Sequence, residues 1–428
     1  MTAAPTPRAQ HVPRAASEWR GGWRVVVAAI LGAGFGPGLY QNLSSLFTPG
    51  LEAAFGWTRG QISTAAGLAL IGASIAPLVG RVADRVGVRP VIVASSAVLA
   101  AGYLLLAGIG PAIWQYQACI LLLVLAVPGT SSLVYGKMIA LRFRRHRGTA
   151  LAIATSGLAV MTILAAPALG WVIDHWGWRR GFVALALASA AALPFILLVI
   201  RPPSSLAQPT VVEQAAEQGA GDAALPAPVE GMTAAQARRD PRFWRVVAAA
   251  MLVNLATTGL VTQIVPLGLE LGLDSAEAAV LLTSFGASAI AGRLLIGALI
   301  DRYPPQPAAA AFALTSALAF LGLAWGSSNV AVVLALVFLA GLMNGAENDL
   351  LPFLAARLFG LRSYGEIYGS AMPLTLVGTA IGIIGFGRLH DAFGDYDAAL
   401  IAGAIALLGA GGCFLSLRDR APGALNGG

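Results

Sequence analysis

Apolar residues along this chain fall in long runs, and short polar segments rich in arginine separate the runs. A run of about 20 apolar residues is long enough to cross the roughly 30 Å core of a bilayer as a helix. Hydrocarbon leaves backbone groups without partners, and barrel strands would read as short alternating segments. The pattern therefore predicts an all-α integral membrane protein. Its twelve transmembrane helices, spans 1 to 12, are residues 24–47, 61–79, 90–109, 113–137, 149–172, 181–200, 244–268, 276–300, 308–326, 330–353, 365–387 and 397–417.

Composition supports this prediction. Of the 428 residues, 57% are hydrophobic and 11% are charged, against about 25% charged in soluble domains. Both cysteines, Cys119 and Cys413, lie inside apolar runs, which gives no sign of a disulfide framework or a metal site. The sequence also lacks a nucleophile elbow and a phosphate loop. We therefore expect no enzyme activity, no cofactor and no metal, and we expect a transmembrane gradient to be the energy source.

The basic residues flank the spans, which argues against nucleic acid as a partner despite the net charge of +7. If both termini lie on one side, 21 of the 27 lysine and arginine residues fall on that side. The positive-inside rule makes this side the cytoplasm. The expected location is a bacterial inner membrane, with the lipid bilayer as surroundings and the chain acting as a monomer.

The segment between spans 6 and 7 is rich in Pro, Ala, Gln and Glu and has little to bury, as expected of a linker. The expected organisation is an N-terminal tail (1–22), a first six-helix half (23–200), a cytoplasmic linker (201–242), a second six-helix half (243–417) and a C-terminal tail (418–428).

The two halves carry matching motifs at one spacing. The sequence GRVADR of residues 80–85 recurs as GALIDR of residues 297–302, and 297 − 80 = 217. The sequence GWVID of residues 170–174 recurs as GRLHD of residues 387–391, and 387 − 170 is again 217. Two matches at one offset predict two six-helix repeats around a central cavity.

Residues 80–90, GRVADRVGVRP, resemble the signature G-x-L-A-D-R-x-G-R-R of the major facilitator transporters, with Val82 for leucine and Val88 for a basic residue. The resemblance implies alternating access and a gate on the cytoplasmic side. A surface salt bridge is the simpler alternative, since exposed pairs are common and weak. The implied gate residues are Gly80, Asp84, Arg85, Gly87 and Arg89, with Asp301 and Arg302 at the repeated position.

Within that superfamily the chain resembles the monocarboxylate transporters and their bacterial oxalate/formate-type relatives. Residues 21–23 (GGW), 142–150 (RFRRHRGTA) and 291–294 (AGRL) carry this resemblance. It implies that Arg293 in span 8 holds the substrate carboxylate. Ala289 stands where that family often has an aspartate, so the usual proton-coupling acid is missing. Gln41 stands where animal members of the family have a lysine.

Arg293 also stands out from the residues themselves. It lies eight residues before Asp301, about 12 Å along a helix, which places it near the bilayer midplane if Asp301 marks the surface. An unpaired charge there costs at least about 2.5–3.5 kcal/mol, so we expect a cavity, a partner acid or an anionic ligand. A purely structural pairing with an acid is the alternative to substrate binding.

Glu347 and Asp349 in span 10 are the candidate acids for proton coupling. They are two residues apart, about 200° around a helix, so only one of them faces any given cavity. A buried acid resists ionisation unless it is paired, which suits either a proton carrier or a salt bridge to Arg293. Both roles stay open for both acids.

Other polar residues extend the candidate substrate site. Span 1 has a predicted kink at residues 34–38, and span 7 repeats polar residues at every fourth position from 254 to 262. Bonds between helices are the more ordinary role of such residues. The candidate substrate-binding residues beside Arg293 are Tyr40, Gln41, Asn42, Asn254 and Thr258.

These observations predict a secondary transporter whose partners are a small organic anion and protons. The resemblance implies a monocarboxylate, moved by proton symport or anion exchange. Drug or metabolite efflux by proton antiport is the alternative, although the efflux motif G-P-x-x-G-G is reduced to APALGW at residues 166–171. A non-transporting sensor on the same fold would be expected to carry a large appended signalling domain.

Overall fold

The computed structural model describes residues 15–68, 79, 82, 85–86, 88–127, 150, 153–154, 156–199, 231–300, 302–360 and 362–417. This part of the chain is helical, and its only β pairing is one isolated bridge between Gly231 and Gly360. Short 3₁₀ turns follow α2 and α4. The helices are α1 (Ala15–Gly34), α2 (Pro37–Leu43), α3 (Thr48–Phe55), α4 (Arg59–Ser63), α5 (Val88–Ala107), α6 (Ile113–Ala126), α7 (Gly157–Trp176), α8 (Trp178–Val199), α9 (Ala234–Arg239), α10 (Pro241–Glu270), α11 (Ser275–Ile300), α12 (Pro305–Ala324), α13 (Val330–Phe359), α14 (Tyr364–Phe393) and α15 (Asp397–Leu415).

Nine helices within the described residues are long and apolar enough to cross a membrane: α5, α7, α8 and α10 to α15. They correspond to spans 3, 5, 6 and 7 to 12. Span 1 is divided among α1, α2 and the 3₁₀ turn Ser44–Leu46, and α3 follows it. Spans 2 and 4 begin as α4 and α6 and continue into residues outside the described part. The predicted all-α membrane fold is confirmed.

Span 1 breaks where its sequence has glycine and proline. α1 ends at Gly34, Gly36 has an extended backbone (φ −71°, ψ 177°), and α2 begins with Pro37. Proline lacks the N–H group that would continue a helix, but it suits a first turn. Gly34 also lies against Met161 of α7, where a Cβ atom would overlap that side chain. The predicted kink is confirmed.

Equivalent helices pack together in the two halves. α5 packs on α8 in the first half, as α12 packs on α15 in the second, and α4 with α14 and α7 with α11 connect the halves. The start of α10 lies beside the end of α15, where Arg245 Nη1 donates to the Ser416 carbonyl at 3.0 Å. We call this end of the bundle the terminus face. The opposite end, where α4 and α11 begin, is the far face.

Small residues let α11 and α13 approach closely. A Cβ atom on Gly345 would overlap the Ala289 carbonyl, and one on Gly292 would overlap the Leu342 carbonyl. Residue 289 therefore lies against the backbone of α13. The same approach brings Arg293 of α11 beside the polar stretch of α13.

The end of the linker is fixed to the second half at the terminus face. Thr233 and Gln236 form a capping box at the start of α9. The Met232 N–H group donates to the Phe359 carbonyl, at the end of α13, over 2.7 Å. The short α9 then leads through Asp240, which caps α10 by accepting from Arg242 N.

Candidate functional site

An ion pair between α11 and α13 lies at the centre of the candidate site. Arg293 Nε is 3.4 Å from Asp349 Oδ2. The side chain of Arg293 is 19% exposed, whereas that of Asp349 is 40% exposed. The guanidinium is thus largely withdrawn from solvent, and its partner keeps an open side. A guanidinium carries five N–H donors in a planar fork, so it has the capacity to hold more than one carboxylate.

Glu347 has a different neighbour from Asp349. Its side chain is buried (8% exposed) and is hydrogen-bonded to the side chain of Asn254 on α10. Thr379 of α14 donates to Asn254 Oδ1 at 3.5 Å. Arg293 acts electrostatically on both carboxylates. Asn254, Arg293, Glu347 and Asp349 therefore form one group, which we call the second-half polar cluster.

The spacing of the two acids explains their different partners. Residues two apart on a helix point in directions that differ by about 200°, so Asp349 turns toward α11 while Glu347 turns toward α10.

Two threonines beside the cluster, Thr257 and Thr379, were not singled out from the sequence. Thr257 lies one turn from Asn254 and donates to Asn344 Oδ1 of α13 at 3.3 Å, in addition to its own helix. Its position three residues after Asn254, on the same side of the helix, was the signal in the sequence that could have identified it.

Tyr40 lies in the aromatic core of the first half. It is 8% exposed, and its hydroxyl is 3.1 Å from the Tyr116 hydroxyl. The rings of Phe47, Tyr103 and Phe182 lie 5.9, 6.0 and 5.9 Å from its own, between centroids. These contacts place Tyr40 among the aromatic residues of the first half, and its part in substrate binding stays a prediction.

Gln41 and Asn42 follow Tyr40 on α2 and are half-buried. Asn42 Nδ2 donates to Thr162 Oγ1 of α7 at 3.1 Å, and the Gln41 carbonyl accepts from Ser44 Oγ at 2.9 Å. Asn42 thus links α2 to α7 within the first half.

The polar stripe of α10 divides into two kinds of residue. Asn254 reaches α13 and α14, as described above. Thr258 and Thr262 are buried, and their hydroxyls donate to the carbonyls of Asn254 and Thr258 on their own helix. Such local bonds are common for threonine in helices. Only Asn254 of this stripe contributes to the cluster.

The gate motif falls mostly outside the described residues, which do not include Gly80, Asp84, Gly87 or Asp301. Its described members, Arg85, Arg89 and Arg302, are exposed.

Comparison with known protein families decides what kind of protein carries this cluster. The profile of the Major Facilitator Superfamily matches residues 29–383, which is most of the chain and includes both halves. The chain belongs to the major facilitator superfamily. It is therefore a multi-pass membrane transporter of that superfamily and not an enzyme, and its repeated helices fit the two-repeat, twelve-helix architecture.

Individual relatives of this superfamily member include two monocarboxylate transporters and a chloramphenicol resistance protein. Monocarboxylate transporter 13 of Bos taurus is 26% identical over 408 residues, covering 91% of this chain and 88% of the relative. Monocarboxylate transporter 11 of Homo sapiens is 27% identical over 428 residues, covering 95% and 85%. A chloramphenicol resistance protein of Streptomyces lividans is 30% identical over 231 residues, 54% of each chain. The resemblance to monocarboxylate transporters is thus confirmed.

Solved structures share the fold of this superfamily member. One is a bacterial homologue of the human lysosomal transporter Spinster in an inward-facing, unoccupied conformation, with a TM-score of 0.67 and 16% identity over 92% of this chain and 94% of that chain. The occupied form of that homologue gives a TM-score of 0.69 with 14% identity. These similarities concern the fold alone.

Proposed function

We propose that this transporter moves a small organic anion, with monocarboxylates as the first candidates, by proton symport or anion exchange. The observation that carries the proposal is the position of Arg293. Arg293 is a residue of α11 with a largely buried side chain, and it pairs with Asp349, whose side chain is partly exposed. A substrate carboxylate would bind the fork of Arg293 with two charge-assisted hydrogen bonds. The similarity to monocarboxylate transporters supports the same chemistry.

In this proposal Asp349 is an internal counterion for Arg293 when no substrate is bound. Its exposed side allows it to be displaced or joined by a substrate carboxylate. Because the charge of Arg293 is never left uncompensated, the high cost of a bare charge inside the membrane is avoided in both states. The substrate therefore competes with an acid that the protein already holds.

Glu347 is the proposed proton carrier. It is buried, hydrogen-bonded to Asn254, and close enough to Arg293 for electrostatic interaction. An anion bound to Arg293 adds negative charge near Glu347 and favours the protonated carboxyl group. Protonation in turn favours anion binding, and this reciprocal coupling is what symport requires. In anion exchange, Arg293 would hold the two anions in turn and Glu347 would keep one protonation state.

The proposed setting is a bacterial inner membrane, with the protein acting as a monomer. By sequence, most lysine and arginine residues fall in the segments that are predicted to lie on the same side as the termini. The positive-inside rule then favours a cytoplasmic terminus face and a periplasmic far face.

Export of a drug by proton antiport is a second candidate. The similarity of half the chain to a chloramphenicol resistance protein favours it. Export of a neutral or cationic drug would depend on an acid such as Glu347, but it would give Arg293 no carboxylate to bind.

A thermal-shift experiment on purified protein separates the two candidates. A ligand that binds only the folded state raises the melting temperature. We expect short-chain monocarboxylates to raise it and the matched neutral amides to leave it unchanged, because only the carboxylates can pair with Arg293. Stabilisation by hydrophobic cations or neutral drugs, with no response to any carboxylate, would overturn the anion proposal in favour of export.

A further inference from the structure

We infer that Asp391 holds the two halves together at one edge of the far face, where α4 meets α14. We infer further that this contact breaks before the interior of the transporter becomes open to the far face. Asp391 lies at the end of α14 in the second half. Its Oδ2 atom accepts from Thr58 Oγ1 at 2.6 Å and from the Gly60 N–H group at 3.0 Å, both in the first half. These bonds join the two halves directly, whichever substrate the protein carries.

Charged side chains extend the contact between the halves. Arg59 of the first half pairs with Glu270 at the end of α10, and also with Glu52 of its own half (Nε–Oε1, 2.9 Å). The Arg59 guanidinium lies 5.2 Å from the ring centroid of Tyr396. His390 Nε2 lies 2.8 Å from the same Glu270 carboxylate. The Glu270 carboxylate therefore binds side chains of both halves, Arg59 and His390.

A buried polar chain continues beneath these charges. Gln263 Nε2 of α10 donates to Ser63 Oγ of α4 at 3.0 Å, and Gln263 Oε1 accepts from the Tyr396 hydroxyl at 2.7 Å. Burial raises the pKa of the Tyr396 hydroxyl, so this group stays protonated and remains a donor. We call the whole set the far-face latch: Thr58, Arg59, Gly60 and Ser63 from the first half, and Gln263, Glu270, His390, Asp391 and Tyr396 from the second.

The backbones at the far-face latch approach too closely to leave room for other side chains. A Cβ atom on Gly387 would lie 2.5 Å from Ser63 Oγ and 2.8 Å from the Arg59 carbonyl oxygen. A Cβ atom on Gly60 would overlap the Asp391 carboxylate. The contact is therefore closed in this structure, and Gly60 offers a way to disturb it without changing the carboxylate itself.

The equivalent contact in the repeat is built differently. Asp174 of α7, the counterpart of Asp391, is exposed, and among the described residues no hydrogen bond joins it to α11. The start of α11 is capped instead by its own Asp274, which accepts from the Glu277 N–H group at 2.7 Å. α7 and α11 meet mainly through small and apolar residues, where Gly170 faces Ala279 and Gly286 faces Ile163. One long hydrogen bond, from Thr283 Oγ1 to the Ile163 carbonyl at 3.4 Å, accompanies this packing, and no ion pair is found there among the described residues.

The sequence explains this difference. At the offset of 217 residues, the latch residues Ser63, Arg59, Gln263 and Glu270 correspond to Val280, Ala276, Leu46 and Ala53. Hydrogen bonds and ion pairs have replacement partners in water, whereas apolar packing has none. We therefore expect the halves to separate at the far-face latch, while the contact of α7 with α11 stays closed for longer.

Electron spin resonance distance measurements across the far face test this inference. Spin labels on Ala54→Cys and Ala392→Cys, both exposed positions in different halves, are placed in full-length protein in nanodiscs, with Cys119→Ala and Cys413→Ala in the background. Asp391→Ala should raise the ratio of separated to closed molecules at least about tenfold, the effect of losing one or two hydrogen bonds to a charged group. Asp391→Asn should raise it less, because the amide oxygen still accepts both bonds.

Two further variants decide whether the effect belongs to this contact. Gly60→Ala should act like Asp391→Ala, and the double variant should add little to either, because both changes break the same bonds. Asp174→Ala is the matched control in the repeat and should leave the distances unchanged. Wild-type distances in both Asp391→Ala and Gly60→Ala would overturn the inference, as would an equal shift in Asp174→Ala. If Asp391→Ala fails to fold, Gly60→Ala alone gives the decision.

Discussion

The interiors of the two halves differ, although their helices repeat. The second half holds an arginine, two acids and an asparagine in one polar cluster that spans α10, α11 and α13. The first half has no charged residue at the corresponding positions, which at the offset of 217 are Pro37 for Asn254, Ala76 for Arg293, Thr130 for Glu347 and Ser132 for Asp349.

The described interior of the first half is aromatic instead. Tyr40 and Tyr116 share a hydrogen bond, and Phe47 stacks on Phe182 at 4.1 Å between ring centroids. The repeat therefore preserves helix packing but not chemistry. In the proposed mechanism the second half supplies the charge that binds and couples, and the first half supplies an uncharged wall of aromatic and neutral polar residues. The following variants test this division.

The largest effect is expected from removing the proposed proton carrier. Glu347→Gln keeps the hydrogen bond to Asn254 but cannot exchange a proton, so accumulation of anion driven by a pH gradient should be lost in proteoliposomes. Counterflow of labelled against unlabelled anion should persist, because it needs no net proton movement. Normal accumulation in this variant would move the coupling role to Asp349 or favour plain anion exchange.

A smaller effect is expected from Asp349→Asn. If Asp349 competes with substrate for Arg293, its removal should raise anion affinity. Since the Asp349 side chain is 40% exposed, water screens the pair and the gain should stay within about fivefold, or roughly 1 kcal/mol at most. Anion binding measured at low and high salt should show the gain shrinking as salt rises. A loss of affinity would show that Asp349 helps to hold the substrate.

The smallest effect on binding is expected in the first half. Tyr40→Phe removes one buried hydrogen bond and leaves the Tyr116 hydroxyl unpaired, so stability should fall by about 1–3 kcal/mol. Anion affinity should not change, because the residue packs in the aromatic core. Tyr40→Phe combined with Tyr116→Phe is the control and should recover part of the stability. An affinity loss in Tyr40→Phe that exceeds its effect on stability would give Tyr40 a role in the site.

Much of the fold followed from the sequence, because lipid imposes long apolar helices and the repeat left two motifs at one offset. The polar cluster could be predicted from the sequence only in part. The cost of a charge in the membrane predicted that Arg293 needs a partner, and helical geometry predicted that Glu347 and Asp349 would separate. Which acid meets Arg293 depends on how close α11 and α13 come at Gly345, and this distance is a tertiary property.

The far-face latch could not be predicted from local patterns. Asp391 was visible only as a member of a repeated motif, and its partners Thr58 and Gly60 lie more than 300 positions away along the chain. Tyr40 is a related case. Its position after the kink in span 1 made it a candidate for the substrate site, and that role stays a prediction. Its contacts with the aromatic residues of α5 and α8 are long-range and could not be read from the sequence.

In the proposed mechanism the fork of Arg293, and not merely its charge, binds a carboxylate. The most direct test is the equilibrium affinity of purified Arg293→Lys for the monocarboxylate that best stabilises the wild-type protein. Lysine keeps the charge but loses the two parallel hydrogen bonds, so affinity should fall about 30- to 150-fold, equivalent to about 2–3 kcal/mol. Affinity close to wild type would contradict this mechanism and leave Arg293 as a structural partner of Asp349.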